Sequence, residues 1–106
     1  MPPKNKEIVL AIHNLLKIKF SDYTGLYFYG SRTGKSFKAE SDFDIVVTFK
    51  NKVDWKKENE VWGEIALFEL EHNVFTDIKI YQYSELHRQD TPYRENVIKT
   101  GMFYGL

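Results

Sequence analysis

Residues 27–49 read Y-F-Y-G-S-R-T-G-K-S-F-K-A-E-S-D-F-D-I-V-V-T-F, and this stretch decides the fold. An apolar run ends at Gly30-Ser31, and a polar linker of ten residues follows it. Asp42 and Asp44 then precede a run of β-branched residues, which is typical of a strand. Because residues i and i+2 of a strand point to the same side, we expect the two carboxylates to project together.

This pair of carboxylates predicts a cation site. Two carboxylates held side by side repel each other unless a cation lies between them. Mg²⁺ takes oxygen ligands and is commonly shared with substrate phosphates. Gly30 and Ser31 are suited to bind the phosphate beside that cation. A glycine lets backbone N–H groups approach a phosphate, and a helix starting after Ser31 adds the positive end of its dipole. The alternative is that Asp42 and Asp44 cap a turn before the strand.

A P-loop is a look-alike that the spacing argues against. Residues 30–36 read G-S-R-T-G-K-S. A P-loop has four residues between its first glycine and the G-K-[ST] element, whereas this chain has three. The missing residue matters because the loop must wrap around a phosphate.

Length and composition set the class of protein. The chain has 106 residues, which suits one domain over residues 1–106. Hydrophobic residues make up 42%, enough for a core, and the formal charge is zero, which argues against direct nucleic-acid binding. The absence of cysteine excludes disulfides and thiolate metal sites. No signal-peptide core or membrane-spanning apolar run is present, so we expect a cytoplasmic protein.

Hydrophobic periodicity predicts three helices and three strands. The helices cover residues 5–20, 54–71 and 92–100, and the strands cover residues 26–29, 43–49 and 74–83. Thr91 is the expected N-cap of the last helix, with Pro92 at its first position. Residues 84–90 are expected to form a polar connection. Residues 102–104 remain as an apolar tail, which either contacts a partner protein or packs back on the sheet.

The third predicted strand carries a charge inside an apolar segment. Residues 74–83 alternate sharply, and Asp77 shares a face with Phe75, Lys79 and Tyr81. The helical crossover between the second and third strands favours their parallel pairing. In that arrangement Asp77 lies beside Asp44, near the start of both strands. The alternative for a lone aspartate is an exposed residue on an edge strand.

These motifs resemble a known family. Gly30-Ser31, ten residues and then Asp42-Phe43-Asp44, with Asp77 on a later strand, resemble the signature of the superfamily of DNA polymerase β and kanamycin nucleotidyltransferase. The short chain and its ending, V-I-K-T-G-M-F-Y-G, resemble the minimal nucleotidyltransferases, or MNT domains. Those domains are commonly encoded beside a HEPN-domain partner as toxin–antitoxin pairs.

The resemblance implies a fold and a reaction. The fold is α/β (α+β), with a small mixed sheet flanked by helices. The reaction transfers a nucleoside monophosphate, AMP from ATP in the MNT group, to a hydroxyl. Two Mg²⁺ ions assist it, bridged by Asp42 and Asp44, while Asp77 holds the ion that binds the acceptor hydroxyl and serves as its base.

The resemblance also implies phosphate contacts. Ser31, with the backbone around Gly30, holds the β- and γ-phosphates. Arg32, Lys35 and Lys79 are further candidates for neutralising phosphate charge. The alternative for each of these three is an ordinary solvated cation.

Three functions remain open: two with different acceptors and one without catalysis. The resemblance favours a hydroxyl on a HEPN-type partner protein. A small molecule, as in aminoglycoside-modifying relatives, is the first alternative, although those enzymes usually carry an added helical domain. The second alternative is a non-catalytic antitoxin that neutralises its partner by contact.

Other conspicuous side chains are assigned structural roles. His13, His72 and His87 show no metal-ligand spacing. Trp55 and Trp62 are interpreted as core or partner contacts rather than a base-stacking platform. Tyr27 and Tyr29 are expected to pack the sheet.

Overall fold

The computed structural model describes residues 3–29, 43–88 and 91–106. Within these ranges the chain forms four helices and four strands. In order they are α1 (Pro3–Lys19), β1 (Tyr23–Tyr29), β2 (Phe43–Phe49), α2 (Trp55–His72), β3 (Thr76–Gln82), α3 (Tyr83–His87), α4 (Pro92–Thr100) and β4 (Met102–Gly105). None of the described helices is long and apolar enough to cross a membrane.

The four strands form one mixed sheet in the order β3-β2-β1-β4. β1 is antiparallel to both β2 and β4, whereas β2 and β3 are parallel. The parallel pair requires a crossover, and α2 supplies it with 18 residues. Asp54 caps the start of α2 by accepting a hydrogen bond from the backbone N–H of Lys57, and Asn73 ends it in a left-handed conformation. The predicted mixed α/β (α+β) sheet and its parallel pairing are therefore confirmed.

The sheet has two covered faces. On one face, α1 and α2 enclose the main core, which includes Ile12, Leu16, Phe28, Ile45 and Val61. The opposite face carries a smaller cluster formed by Tyr27, Val46, Leu86 and Val97, where the last two belong to α3 and α4. The side-chain alternation predicted for β2 is confirmed, because its odd-numbered apolar residues join the main core and Val46 joins the smaller cluster.

β1 begins three residues earlier than the sequence predicts. The register between β1 and β2 shifts between Tyr23 and Gly25, so these residues form a β-bulge within the strand. Gly25 has φ 150°, and a Cβ there would lie 2.6 Å from the backbone oxygen of Tyr104. Glycine is thus required where β4 packs against the bulge.

The apolar tail is a strand. β4 pairs with β1, and Leu26 lies opposite Tyr104. Met102 and Tyr104 pack against the main core, while the ring of Phe103 lies on the other face, 4.7 Å from the ring of Tyr27. Of the two interpretations of this segment, packing back on the sheet is confirmed. The connection at residues 84–90 includes α3, a short helix whose Leu86 is buried.

Candidate active site

Three side chains form a row across the middle strands. Tyr29 of β1 lies opposite Asp44 of β2, and Asp44 lies opposite Asp77 of β3. Paired residues of neighbouring strands share a face, so all three project on the face covered by α3 and α4. The parallel register thus brings Asp77 beside Asp44, as the crossover predicts.

Most of the other predicted site residues lie outside the described residues. They are Gly30, Ser31, Arg32, Lys35 and Asp42, together with the short helix expected after Ser31. The segment that contains them joins β1 to β2, directly after Tyr29 and directly before Phe43. Both of its ends therefore border the row of Tyr29, Asp44 and Asp77.

Lys79 is a neighbour of Asp77 on the same face of β3. Its Nζ atom lies 3.4 Å from each carboxylate oxygen of Asp77. The two side chains are 43% and 49% exposed, so the pair contributes little stability and its ammonium is readily displaced. The same ammonium lies 5.7 Å from the centre of the Tyr93 ring. A weakly held ammonium therefore lies next to the Asp77 carboxylate on this face of the sheet.

A pair of tyrosine hydroxyls borders the carboxylates. The hydroxyl of Tyr29 is hydrogen-bonded to that of Tyr93, which lies in the first turn of α4. That turn is fixed by Thr91, whose side chain accepts a hydrogen bond from the backbone N–H of Arg94 at 3.2 Å. Tyr29 packs the sheet as predicted, but neither its contact with the site nor the presence of Tyr93 there was predicted from the sequence. The Thr91-Pro92 start locates Tyr93 on its helix, yet nothing local shows where that helix docks.

Burial controls the protonation of these two phenols. Burial raises the pKa of Tyr29. The hydrogen bond with Tyr93 and the Lys79 ammonium lower this pKa, whereas the Asp44 and Asp77 carboxylates raise it further. Burial, together with the hydrogen bond to Tyr29, raises the pKa of Tyr93 far above its usual range. Both hydroxyls thus stay protonated at neutral pH and serve as hydrogen-bonding groups rather than bases.

Each histidine is held in a structural hydrogen bond. The Nδ1 atom of His13 lies 2.7 Å from the hydroxyl of Tyr23, and Nε2 of His87 lies 3.0 Å from the hydroxyl of Tyr27. His72 contacts the backbone oxygen of Phe68 at 3.1 Å. These contacts tie each histidine into the packing of the fold.

The sequence of the chain matches a known protein family. A family model described as "Polymerase beta, Nucleotidyltransferase" matches residues 11–103, which is most of the chain. The chain belongs to this nucleotidyltransferase family. The family and the enzyme class predicted from the G-S…D-x-D pattern are therefore confirmed. No curated protein matches the chain.

Solved structures with the nucleotidyltransferase fold are similar to the chain over nearly its full length. A toxin–antitoxin crystal structure with AMP-PNP has a TM-score of 0.68 at 18% identity, covering 96% of this chain and 74% of that one. The MntA-HepT toxin–antitoxin has a TM-score of 0.63 at 18% identity, covering 95% and 73%. A Shewanella oneidensis complex of MNT antitoxin with tri-AMPylated HEPN toxin has a TM-score of 0.61 at 16% identity, covering 95% and 72%. At these identities the likeness shows the fold.

The donor atoms at this site suit the hard cation that nucleotidyl transfer uses. Asp44 and Asp77 supply carboxylate oxygens from adjacent, in-register strand positions. Within residues 3–29, 43–88 and 91–106 no cluster of three or more histidine, cysteine or acidic side chains is arranged to hold a metal. The third expected ligand, Asp42, lies outside those ranges. Asp44 and Asp77 are thus adjacent on neighbouring strands, and their role as metal ligands stays a prediction.

Proposed function

We propose that this nucleotidyltransferase moves AMP from ATP to a hydroxyl of a HEPN-domain partner protein, with Mg²⁺ bound by Asp42, Asp44 and Asp77. One observation carries the proposal: Asp44 and Asp77 are direct partners in the β2–β3 ladder. Adjacent carboxylates on rigid strands are costly without a cation, and nucleotidyl transfer supplies one with its substrate.

The reaction forms a bond between the acceptor oxygen and the α-phosphorus of ATP. The bond from that phosphorus to the bridging oxygen breaks, and pyrophosphate leaves with the electron pair. The acceptor proton passes to the Asp77 carboxylate, which is half-exposed and therefore reachable. Bound Mg²⁺ supplies charge neutralisation on the phosphate oxygens.

The other residues position the nucleotide. Gly30 and Ser31 are assigned to the β- and γ-phosphates, and Arg32 and Lys35 to phosphate charge. Lys79 is also assigned to phosphate charge, and unlike the other four it lies within the part of the chain that the structure describes. Its ammonium is held only weakly by Asp77 and would be able to bind a phosphate instead. Tyr29 and Tyr93, both protonated, place uncharged aromatic side chains beside the carboxylates.

The choice of AMP and of a protein acceptor draws support from the similar structures. One contains AMP-PNP, and another holds an AMPylated HEPN toxin with an MNT antitoxin. Those findings belong to those proteins. For this chain they identify the donor and the acceptor to test first.

The test is intact mass spectrometry. The chain is incubated with ATP, Mg²⁺ and the product of the neighbouring gene, as the candidate HEPN-domain partner, and both proteins are weighed. We expect AMP-sized increments on the partner with the wild type and none with Asp44→Asn. A tight complex without any increment would favour the non-catalytic antitoxin. In a parallel reaction an aminoglycoside replaces the partner and is weighed as well, and modification there alone would favour the small-molecule enzyme.

A further inference from the structure

α2 has a second apolar face that the fold leaves uncovered. Its buried face is formed by Val61, Ile65 and Phe68. Its other apolar residues recur at helical spacing on the solvent side. We define them as the docking face: Trp55, Trp62, Gly63, Ala66 and Leu70, all exposed. Leu70 is 81% exposed and Trp62 49%, and exposed apolar patches of this kind mark contacts with other proteins.

Gly63 is an independent sign of a close contact. A glycine in the middle of a helix weakens it relative to alanine, so its presence calls for a reason. A Cβ at Gly63 would meet nothing within 4 Å, so no neighbour among the described residues requires glycine there. Ala66 lies one turn away on the same face. The two small residues leave a depression in the helix surface where the backbone of another chain can approach.

The docking face is continuous with the candidate active site. An open groove runs from α2 over the edge of β3 and is lined by Trp62, Ile65, Glu69, Thr76, Asp77 and Ile78. Glu69 fixes its wall by accepting hydrogen bonds from the backbone N–H and the hydroxyl of Thr76, at 2.7 and 3.1 Å. A protein seated on Trp62 therefore borders Asp77, the residue assigned to the acceptor hydroxyl, at the edge of the sheet.

The charge around the docking face indicates the chemistry of its partner. α2 contains five glutamates and two lysines. One of those lysines, Lys57, is engaged with Asp22 at 2.6 Å. The helix thus presents apolar side chains within an acidic frame, which is complementary to an apolar patch framed by lysine and arginine.

We propose that the docking face binds the acceptor protein through a helix with apolar residues and a basic rim, and that the groove guides the acceptor hydroxyl to Asp77. The proposal rests on the proposed function, because it assigns a place to the acceptor of that reaction. A second copy of this chain would cover the same groove and block Asp77, so the acceptor is the occupant consistent with turnover.

The test compares two equally exposed apolar positions. Leu70→Lys adds a charge of the wrong sign to the docking face, because the proposed partner has a basic rim, and Ile18→Lys, also 81% exposed, makes the same change on α1. The product of the neighbouring gene, as the candidate HEPN-domain partner, is titrated into each variant by calorimetry. We expect Leu70→Lys to weaken Kd at least tenfold and Ile18→Lys to bind as the wild type does. Both should keep the melting shift caused by Mg²⁺ and ATP.

Gly63→Gln separates the contact from folding. Glutamine is a better helix former than glycine, so the variant should melt at a higher temperature while binding the partner more weakly. Unchanged binding by Leu70→Lys, or equal weakening by Ile18→Lys, would overturn the docking face. A dimer of the chain alone that Leu70→Lys makes monomeric would also overturn it, with a second copy as the occupant. Failure of the wild type to bind would instead overturn the proposed function.

Discussion

Asp44 and Asp77 are partners in the parallel ladder between β2 and β3, and both carboxylates leave the sheet on the same face. Their separation is set by the spacing of neighbouring strands, about 4.8 Å in the hydrogen-bonding direction. β2 is almost completely buried, so the backbone that carries Asp44 is held on both sides. The proposed catalytic carboxylates thus include two on rigid strands, Asp44 and Asp77, while the other proposed nucleotide contacts, apart from Lys79, belong to the segment that joins β1 to β2.

Asp77→Asn should affect turnover far more than nucleotide binding. If Asp77 contacts the acceptor hydroxyl, its loss is felt in the transition state, and we expect kcat to fall by about 10²-fold or more. The Kd for ATP should change by less than about threefold, because the assigned triphosphate contacts lie elsewhere. Single-turnover kinetics with separate ATP titrations measure both. A variant with weak ATP binding and near-normal turnover would contradict this role.

Tyr93→Phe should destabilise the fold at the site. The substitution removes the hydroxyl that bonds to Tyr29 and leaves a partly buried phenol without its partner, which costs about 1 kcal/mol. Urea denaturation measures the loss. Tyr83→Phe is the matched control, because Tyr83 is 40% exposed, and we expect it to cost less than about 0.5 kcal/mol. Equal losses in the two variants would show that the hydroxyl pair does not stabilise the fold.

His13 should make the fold sensitive to mild acid. Burial, and secondly the Lys17 ammonium, lower the pKa of His13 below its ordinary 6.5. The folded state therefore binds fewer protons than the unfolded state, so the free energy of unfolding falls as the pH drops below about 6.5. Urea denaturation at pH 7.5 and 5.5 should show this loss in the wild type and a smaller loss in His13→Gln. The same loss in both proteins would assign the pH dependence to other groups.

Gly63→Ala should stabilise the isolated chain. The new methyl group enters open space, and alanine is favoured over glycine within a helix by about 0.5–1 kcal/mol. The gain is read from urea denaturation of the chain without any partner. A loss of stability would mean that Gly63 is needed within the fold itself.

Local patterns predicted the elements that they specify. The alternation in β2 and β3 and the length of α2 together indicated the parallel pair, and that pairing brings Asp77 to Asp44. The capping sequence at Thr91 gave the start of α4 correctly. Each of these features depends on residues close together in the chain, where periodicity and capping chemistry act directly.

Features that depend on distant contacts were missed. The sequence predicts a tail instead of β4 because four residues carry little strand signal, and its partner β1 is more than seventy positions away. The sequence also predicts that the first strand begins at Leu26, because a glycine such as Gly25 ordinarily marks a turn, whereas here it lies in a bulge against β4. Tyr93 reaches the site through the docking of α4 on the sheet, which no local pattern encodes.

The central claim is that Asp44 helps to hold a metal–nucleotide complex, and thermal unfolding with Mg²⁺ and ATP tests it most directly. A ligand at a hundred times its Kd stabilises the native state by about 2.7 kcal/mol, which raises Tm by roughly 10 °C in a domain of this size. Glu7→Gln, an exposed acid on α1, is the charge-matched control. We predict the full shift in the wild type and in Glu7→Gln and no shift in Asp44→Asn. A shift of the same size in Asp44→Asn would contradict the account.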